Sequence, residues 1–222
     1  MTAKRNREEQ LEALKRLDAY EIRQITDMKE LHADGVVLSH KRTGARVFLL
    51  LADDPNKVFT IGFRTPSQDS TGVAHIIEHT VLCGSEKFPL KDPFIELVKG
   101  SLNTYLNAMT YPDKTVYPVA STNDKDFDNL MDVYLDAVFH PNCRKNRFTF
   151  LQEGWHYETV NEGAELRYSG VVYNEMRGAF SNPESVLERR IMHSLFPKSC
   201  YGNESGGDPV AIPDLSYENF CA

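Results

Sequence analysis

The chain contains no run of apolar residues approaching the ~20 needed to cross a bilayer as a helix, so no membrane span is expected. It has few cysteines. The four present (Cys83, Cys143, Cys200 and Cys221) are scattered and form no Cys-x-x-Cys pair, and they read as reduced thiols. It also lacks an excess of basic charge. Lys and Arg number 25 against 32 Asp and Glu, a net charge of −7, so a nucleic-acid partner is not expected. The small basic run Lys4, Arg5, Arg7 is followed at once by Glu8, Glu9 and Glu12, the pattern of a solvated helix face. The first residues have no signal-peptide apolar segment and carry acids that a transit peptide avoids, which leaves the cytoplasm as the expected location. There is no internal repeat and no low-complexity stretch.

What is present suits a globular protein. With 222 residues, 41% of them hydrophobic and 26% charged, the chain can build a sizeable core, and it is read here as one domain over residues 1–222. An opening helix fits 6–19, with Leu11, Leu14 and Leu17 on one stripe. Three β-like runs follow at 35–40, 46–52 and 58–64. They are separated by Thr43-Gly44 and by Asp53-Asp54-Pro55-Asn56, and connections this short favour an antiparallel meander. Ser70-Thr71-Gly72 leads into a helix over 72–82 that Cys83-Gly84-Ser85 ends. Asp92 and Pro93 open a short helix through Val98. Strands are predicted at 102–109 and 115–120, joined by Tyr111-Pro112-Asp113. Helices are predicted at 125–139, 145–158, 170–180 and 184–196. A loop over 197–215 precedes Ser216, an N-cap for a helix starting at Tyr217. The fold class is α+β, an antiparallel β-sheet with helices packed against it, incomplete at the C-terminus.

Within the 72–82 helix lies His75-Ile76-Ile77-Glu78-His79. At 100° per residue the two histidines project about 40° apart, and Glu78 about 60° to the other side of His75. Two imidazoles on one helical turn can hold a divalent ion, and a carboxylate beside them can act on its water. The H-x-x-E-H order is a zinc-peptidase signature. The bland alternative is a packed helix face, because Val73, Ile76, Ile77, Val81 and Leu82 around it are apolar. A half-buried helix still needs partners for two histidines and a glutamate.

Catalytic zinc needs a third protein ligand and an open position. Cys83 falls four residues after His79 but reads better as a structural thiol. Among carboxylates, Glu153, Glu158 and Glu175 all remain open. Glu175 is slightly preferred because it sits in the apolar turn Val171-Val172-Tyr173-Asn174-Glu175-Met176.

Three blocks carry a resemblance: Gly72-Val73-Ala74-His75-Ile76-Ile77-Glu78-His79-Thr80-Val81-Leu82-Cys83-Gly84-Ser85, Gly170-Val171-Val172-Tyr173-Asn174-Glu175-Met176-Arg177-Gly178-Ala179-Phe180, and Ser205-Gly206-Gly207-Asp208-Pro209. Residues 72–109 and 168–213 resemble the N-terminal domain of pitrilysin/insulinase-type (M16, inverzincin) zinc metallopeptidases, in the presequence protease/falcilysin branch. The resemblance implies one Zn2+ per chain held by His75, His79 and Glu175, with Glu78 as general base of a zinc-dependent endopeptidase for short unfolded peptides. Other branches carry a second acid seven residues before the last zinc ligand; here that position is Tyr168.

The resemblance further implies that 101–110 pairs with bound peptide as an added strand, with Asn107 and Ala108 at substrate-contacting positions. Leu82, Phe94, Ile95 and Val98 align with an apolar pocket for the residue after the scissile bond. His32, His40, His140, His156 and His193 read as non-ligands, and Trp155 with Phe148, Phe150 and Tyr157 as helix packing. Relatives in this branch are several times longer and draw an Arg and a Tyr from a second half that nothing here matches. The remaining half is therefore expected in a longer chain or a partner, and this portion alone is expected to be weakly active or inactive. The alternatives are a short subunit that works with a partner chain, or an inert fragment that keeps the fold.

Overall fold

The computed structural model describes residues 7–91, 93–159, 161, 163 and 165–222. Lys4, Arg5, Asp92 and the first residue of the expected opening helix lie outside them. The chain divides into two compact units, Met1–Pro55 and Asn56–Ala222. Among the described residues no helix is long and apolar enough to cross a membrane. All four cysteines are free thiols.

In the first unit, α1 (Arg7–Lys15) is followed by β1 (Tyr20–Met28), β2 (Ala33–His40) and β3 (Arg46–Leu51), an antiparallel sheet in the order β1-β2-β3. The helix is shorter than its leucine stripe suggests, because Tyr20 already pairs with His40. Strand β1 has no counterpart in the sequence reading. A bulge between Ile22 and Gln24 spaces Ile22 and Ile25 three apart, which hides the two-residue alternation of a strand. Gly44, at φ +72°, turns β2 into β3.

The second unit opens with β4 (Lys57–Arg64). This strand does not extend the β1-β2-β3 sheet as the expected meander would. It pairs along its whole length with β7 (Lys114–Ser121), from Lys57 opposite Ser121 to Arg64 opposite Lys114. A short connection brings two strands near each other but does not choose the partner; here an eight-residue antiparallel ladder is available elsewhere in the chain. Between them run α2 (Val73–Val81), α3 (Pro93–Gly100), β5 (Asn103–Leu106) and β6 (Met109–Thr110). The single strand expected over 102–109 is broken into β5 and β6, both paired with β7. The break falls at Asn107, whose N–H reaches the Pro118 carbonyl. Pro118 has no N–H to return, and the Asn107 carbonyl accepts from Tyr134 Oη instead (3.4 Å).

Helices α4 (Asp124–Phe139) and α5 (Arg147–Glu153) follow, then β8 (His156–Glu158) paired with β9 (Arg167–Ser169), and then α6 (Val171–Ala179), α7 (Pro183–Leu195) and α8 (Tyr217–Cys221). Side chains of Asn123, Asn146, Asn182 and Ser216 cap α4, α5, α7 and α8 by accepting from the first-turn N–H groups. Helix α5 stops well short of 158. At Gly154 the chain crosses Gly170 so closely that a Cβ on Gly170 would lie 2.2 Å from the Gly154 carbonyl. The crossing ends the helix and starts the β8–β9 hairpin. Trp155 therefore packs with Tyr157 and Tyr168 of that hairpin, and Tyr168 in turn with Tyr173, while Phe148 is 78% exposed and Phe150 packs on Tyr217 and Phe220. The core of this unit gathers Ile76, Val119, Leu130, Tyr134, Phe150, Val172 and Ile212, where β7 meets α2 and α4, and α2 in turn meets α5 and α6. Burying each such side chain contributes roughly 1.5–3 kcal/mol, which fixes the helices that carry the polar groups described next.

Candidate metal centre

Helix α2 buries His75, Ile76, Glu78, Thr80 and Val81, positions that lie all round its circumference, so its polar groups are carried on a helix packed on every side. Its entry is set by Gly72, at φ +70°, where a Cβ would lie 2.7 Å from the Gly206 carbonyl and 2.7 Å from Gly207 Cα. Only glycine admits that approach, and it brings the Ser205-Gly206-Gly207 loop against the first turn of α2. His75 Nδ1 donates to the Gly206 carbonyl at 2.8 Å. His79 Nδ1 faces Glu153 Oε2 at 3.4 Å, and Gln152 Nε2 donates to the other oxygen of Glu153 at 2.8 Å.

With both Nδ1 atoms engaged, both Nε2 atoms point to one place. His75 Nε2 and His79 Nε2 lie 3.7 and 3.6 Å from the same atom, Glu175 Oε2 on α6. Ligand atoms at ~2.0–2.1 Å around a tetrahedral ion are about 3.3–3.4 Å apart, so this spacing fits zinc with little adjustment. Among the described residues, His75, His79 and Glu175 form the group of His, Cys, Asp or Glu side chains able to hold a metal ion, with ligand atoms within 4.8 Å of one another. The Nδ1 partners fix ring orientation and tautomer, as outer partners of metal-bound histidines do.

The acids around the site shape its protonation. Burial pulls the His79 imidazole down, but the hydrogen bond with Glu153 and the charges of Glu78, Glu175 and Glu153 outweigh it, and His79 is held above the ordinary histidine value. Burial pushes Glu153 up, yet its bonds to His79 and Gln152 and the His79 charge bring it below the usual glutamate value. Glu78 is buried beside the ligands, and Thr110 Oγ1 donates to its Oε2 at 2.6 Å.

Glu153 and Glu158, left open beside Glu175 by the sequence, are placed elsewhere. Glu153 is on the outer side of the His79 ring, and Glu158 stands opposite Arg167 in the β8–β9 hairpin. Cys83 Sγ donates to the His79 carbonyl and does not join the group. A cleft of about 780 Å³ opens over the site. Its lining includes Leu82, Phe94, Ile95, Asn107, Ala108 and Thr110 together with His75, Glu78, His79 and Glu175. Val98 is not among the lining residues; it is 53% exposed. His156 Nδ1 donates to the Leu151 carbonyl, and His40 Nδ1 pairs with Thr43 Oγ1. Sequence reasoning missed the tasks of Glu153, Gly206 and Thr110. The Ser205-Gly206-Gly207 block carried a signal without an assigned role.

A family model described as insulinase, peptidase family M16, matches residues 58–162. Protein HypA of Clostridium perfringens is 57% identical over 201 residues, 90% of this chain and 21% of that protein. Presequence protease 1, chloroplastic/mitochondrial, of Arabidopsis thaliana is 54% identical over 193 residues, 87% of this chain and 18% of that protein. The mitochondrial presequence protease of Mus musculus is 45% identical over 208 residues, 92% of this chain and 20% of its own length. The chain thus spans about a fifth of the length of the curated relatives it matches. The crystal structure of pitrilysin shares its fold, with a TM-score of 0.62 over 90% of this chain and 20% of that one, at 18% identity.

Proposed function

The chain belongs to the insulinase-type (M16) peptidase family, as an N-terminal domain of the presequence protease branch, and from that membership we propose that it is the zinc-carrying part of an endopeptidase for short unfolded peptides. The observation that carries this reading is the convergence of two imidazole Nε2 atoms on one Glu175 oxygen, with the buried Glu78 carboxylate on the same helical turn.

In this reading His75, His79 and Glu175 hold one zinc ion. Bound there, zinc would lower the pKa of a water toward ~7 and polarise the scissile carbonyl. Glu78 takes the proton from the attacking water and delivers it to the leaving amine nitrogen. Asn107 and Ala108, at the break between β5 and β6, line the cleft where an extended peptide would pair as an added strand, a mode that tolerates many sequences. Leu82, Phe94 and Ile95 form the apolar wall of the same cleft and receive the side chain after the scissile bond. The groups that stabilise the tetrahedral intermediate come from the rest of the full-length enzyme.

The test is Glu78→Gln in the full-length protein. It keeps one zinc per chain and loses at least ~100-fold in peptide hydrolysis, the scale of general-base catalysis. Normal turnover by that variant would remove Glu78 from the mechanism, and failure of the wild-type protein to bind zinc would remove the metal.

A further inference from the structure

Glu78 sits on a helix, and the group that touches its carboxylate sits on a sheet. Thr110 closes the two-residue strand β6, where it stands directly opposite Thr115 of β7. Its Oγ1 is 2.6 Å from Glu78 Oε2, within the range of a charge-assisted O–H···O⁻ bond. An ionised carboxylate can only accept, so Thr110 is the donor.

That polarity propagates. With its proton committed to Glu78, Thr110 Oγ1 can act toward Thr115 only as an acceptor. Thr115 Oγ1 lies 3.5 Å away and is itself 2.8 Å from Thr65 Oγ1. Thr115 is 2% exposed, so its hydroxyl must be satisfied inside the protein. Thr65, just past the end of β4, donates its main-chain N–H to the Asp113 carbonyl and is thereby fixed to the β6–β7 turn. Three hydroxyls from three adjacent segments of the sheet therefore line up behind one carboxylate. The sheet holds Thr110 by main-chain pairing, while α2 holds Glu78 by the packing of Ile76 and Val81.

We propose that Thr110 is the positioning residue for Glu78: its hydroxyl, backed by Thr115 and Thr65, holds one carboxylate oxygen so that the base is aimed before peptide arrives. This role rests on the reading of Glu78 as general base. It assigns Thr110 no contact with metal or substrate, and it gives a hydroxyl in the cleft wall a task that apolar packing could not perform. A group aimed in advance saves reorganisation in the transition state, so its loss falls on kcat.

The experiment compares Thr110→Val, which keeps shape and removes the hydroxyl, with Thr110→Ser, which keeps the hydroxyl. Glu78→Gln serves as reference, and all are made in the full-length protein. Thr110→Val is expected to lower kcat about 10- to 100-fold with KM within about twofold, while zinc affinity and Tm stay at wild-type values. Thr110→Ser is expected to recover kcat to within about threefold of wild type. The proposal is overturned if Thr110→Val keeps wild-type kcat while Glu78→Gln is inactive. It is also overturned if the valine variant loses zinc or melts early in step with its activity, or if serine rescues nothing. Full activity in Glu78→Gln would remove the base itself, and this role with it.

Discussion

Glu153 Oε2 and Glu175 Oε2 lie on opposite nitrogens of one ring, 3.4 Å from His79 Nδ1 and 3.6 Å from His79 Nε2 respectively. One imidazole thus bridges an inner acid that can bind metal and an outer acid that can only orient. Replacing Glu153 with Ala should leave zinc stoichiometry at one and weaken zinc affinity roughly 10- to 100-fold, the usual effect of losing an outer partner. Competition with a chromophoric chelator measures this. Unchanged affinity would mean that packing alone holds the ring.

The same pair gives the metal-free protein a pH signature. His79 is raised above its reference value of 6.5, so its contribution to stability is full below 6.5 and is lost as pH rises through the raised value. Glu153 is lowered from 4.5, so its contribution is full above 4.5 and is lost as pH falls through the lowered value. The pair therefore helps most between 4.5 and 6.5. Thermal melts of zinc-free protein should show the wild-type advantage over Glu153→Gln largest in that window and shrinking toward pH ~8. An advantage that grows with pH would contradict the assignment.

Arg189 on α7 lines the cleft and connects to His75 through Glu204 and Gly206. Its Nε donates to Glu204 Oε2, its Nη1 to the Ser185 carbonyl, and its guanidinium lies over the Phe180 ring. Glu204 Oε1 in turn accepts from Gly206 N, the residue whose carbonyl holds His75. Arg189→Met should cost about 1–2 kcal/mol, less than a fully buried pair because both side chains keep some solvent. Zinc affinity should fall about threefold to tenfold, a weaker echo of losing a direct partner. Arg189→Lys should lie between wild type and the methionine variant. Chemical denaturation and the chelator assay together check the order.

Two glycines with nearly equal φ separate strain from clash. Gly44 (φ +72°) has nothing within 4 Å of where a Cβ would stand, whereas Gly72 (φ +70°) meets main-chain atoms of Gly206 and Gly207 at 2.7 Å. Gly44→Ala should cost about 1–2 kcal/mol, the left-handed penalty alone. Gly72→Ala should cost clearly more, about 3 kcal/mol or above, and should also weaken zinc binding as the loop moves off His75. Equal losses at the two positions, measured by chemical denaturation, would show that the loop yields freely.

What the sequence made legible follows physical range. The H-x-x-E-H helix, its glycine boundaries, the capped helices α4, α7 and α8, and strands β2, β3 and β4 are local patterns of periodicity and capping, and they appear close to where they were read. The partner of β4 was not legible, because β7 lies some fifty residues away and strand pairing leaves no mark on spacing. Strand β1 was masked by its bulge, and the end of α5 by a crossing at Gly154 that depends on Gly170. At the site, His75, Glu78 and His79 share one helical turn, so their common face could be calculated. Glu175 was one of three acids by residue chemistry and was singled out only by family resemblance. Glu153, Gly206 and Thr110 act through orientation, which no residue type announces.

The bond between His75 and Gly206 joins positions 131 residues apart. During synthesis the histidines leave the ribosome long before the glycine loop exists. A nascent chain that ends before that loop can present two imidazoles, but it cannot lock the first of them. Metal capture with full affinity is therefore a late event, tied to closure of the longest loop in the site and not to formation of the helix that bears the motif.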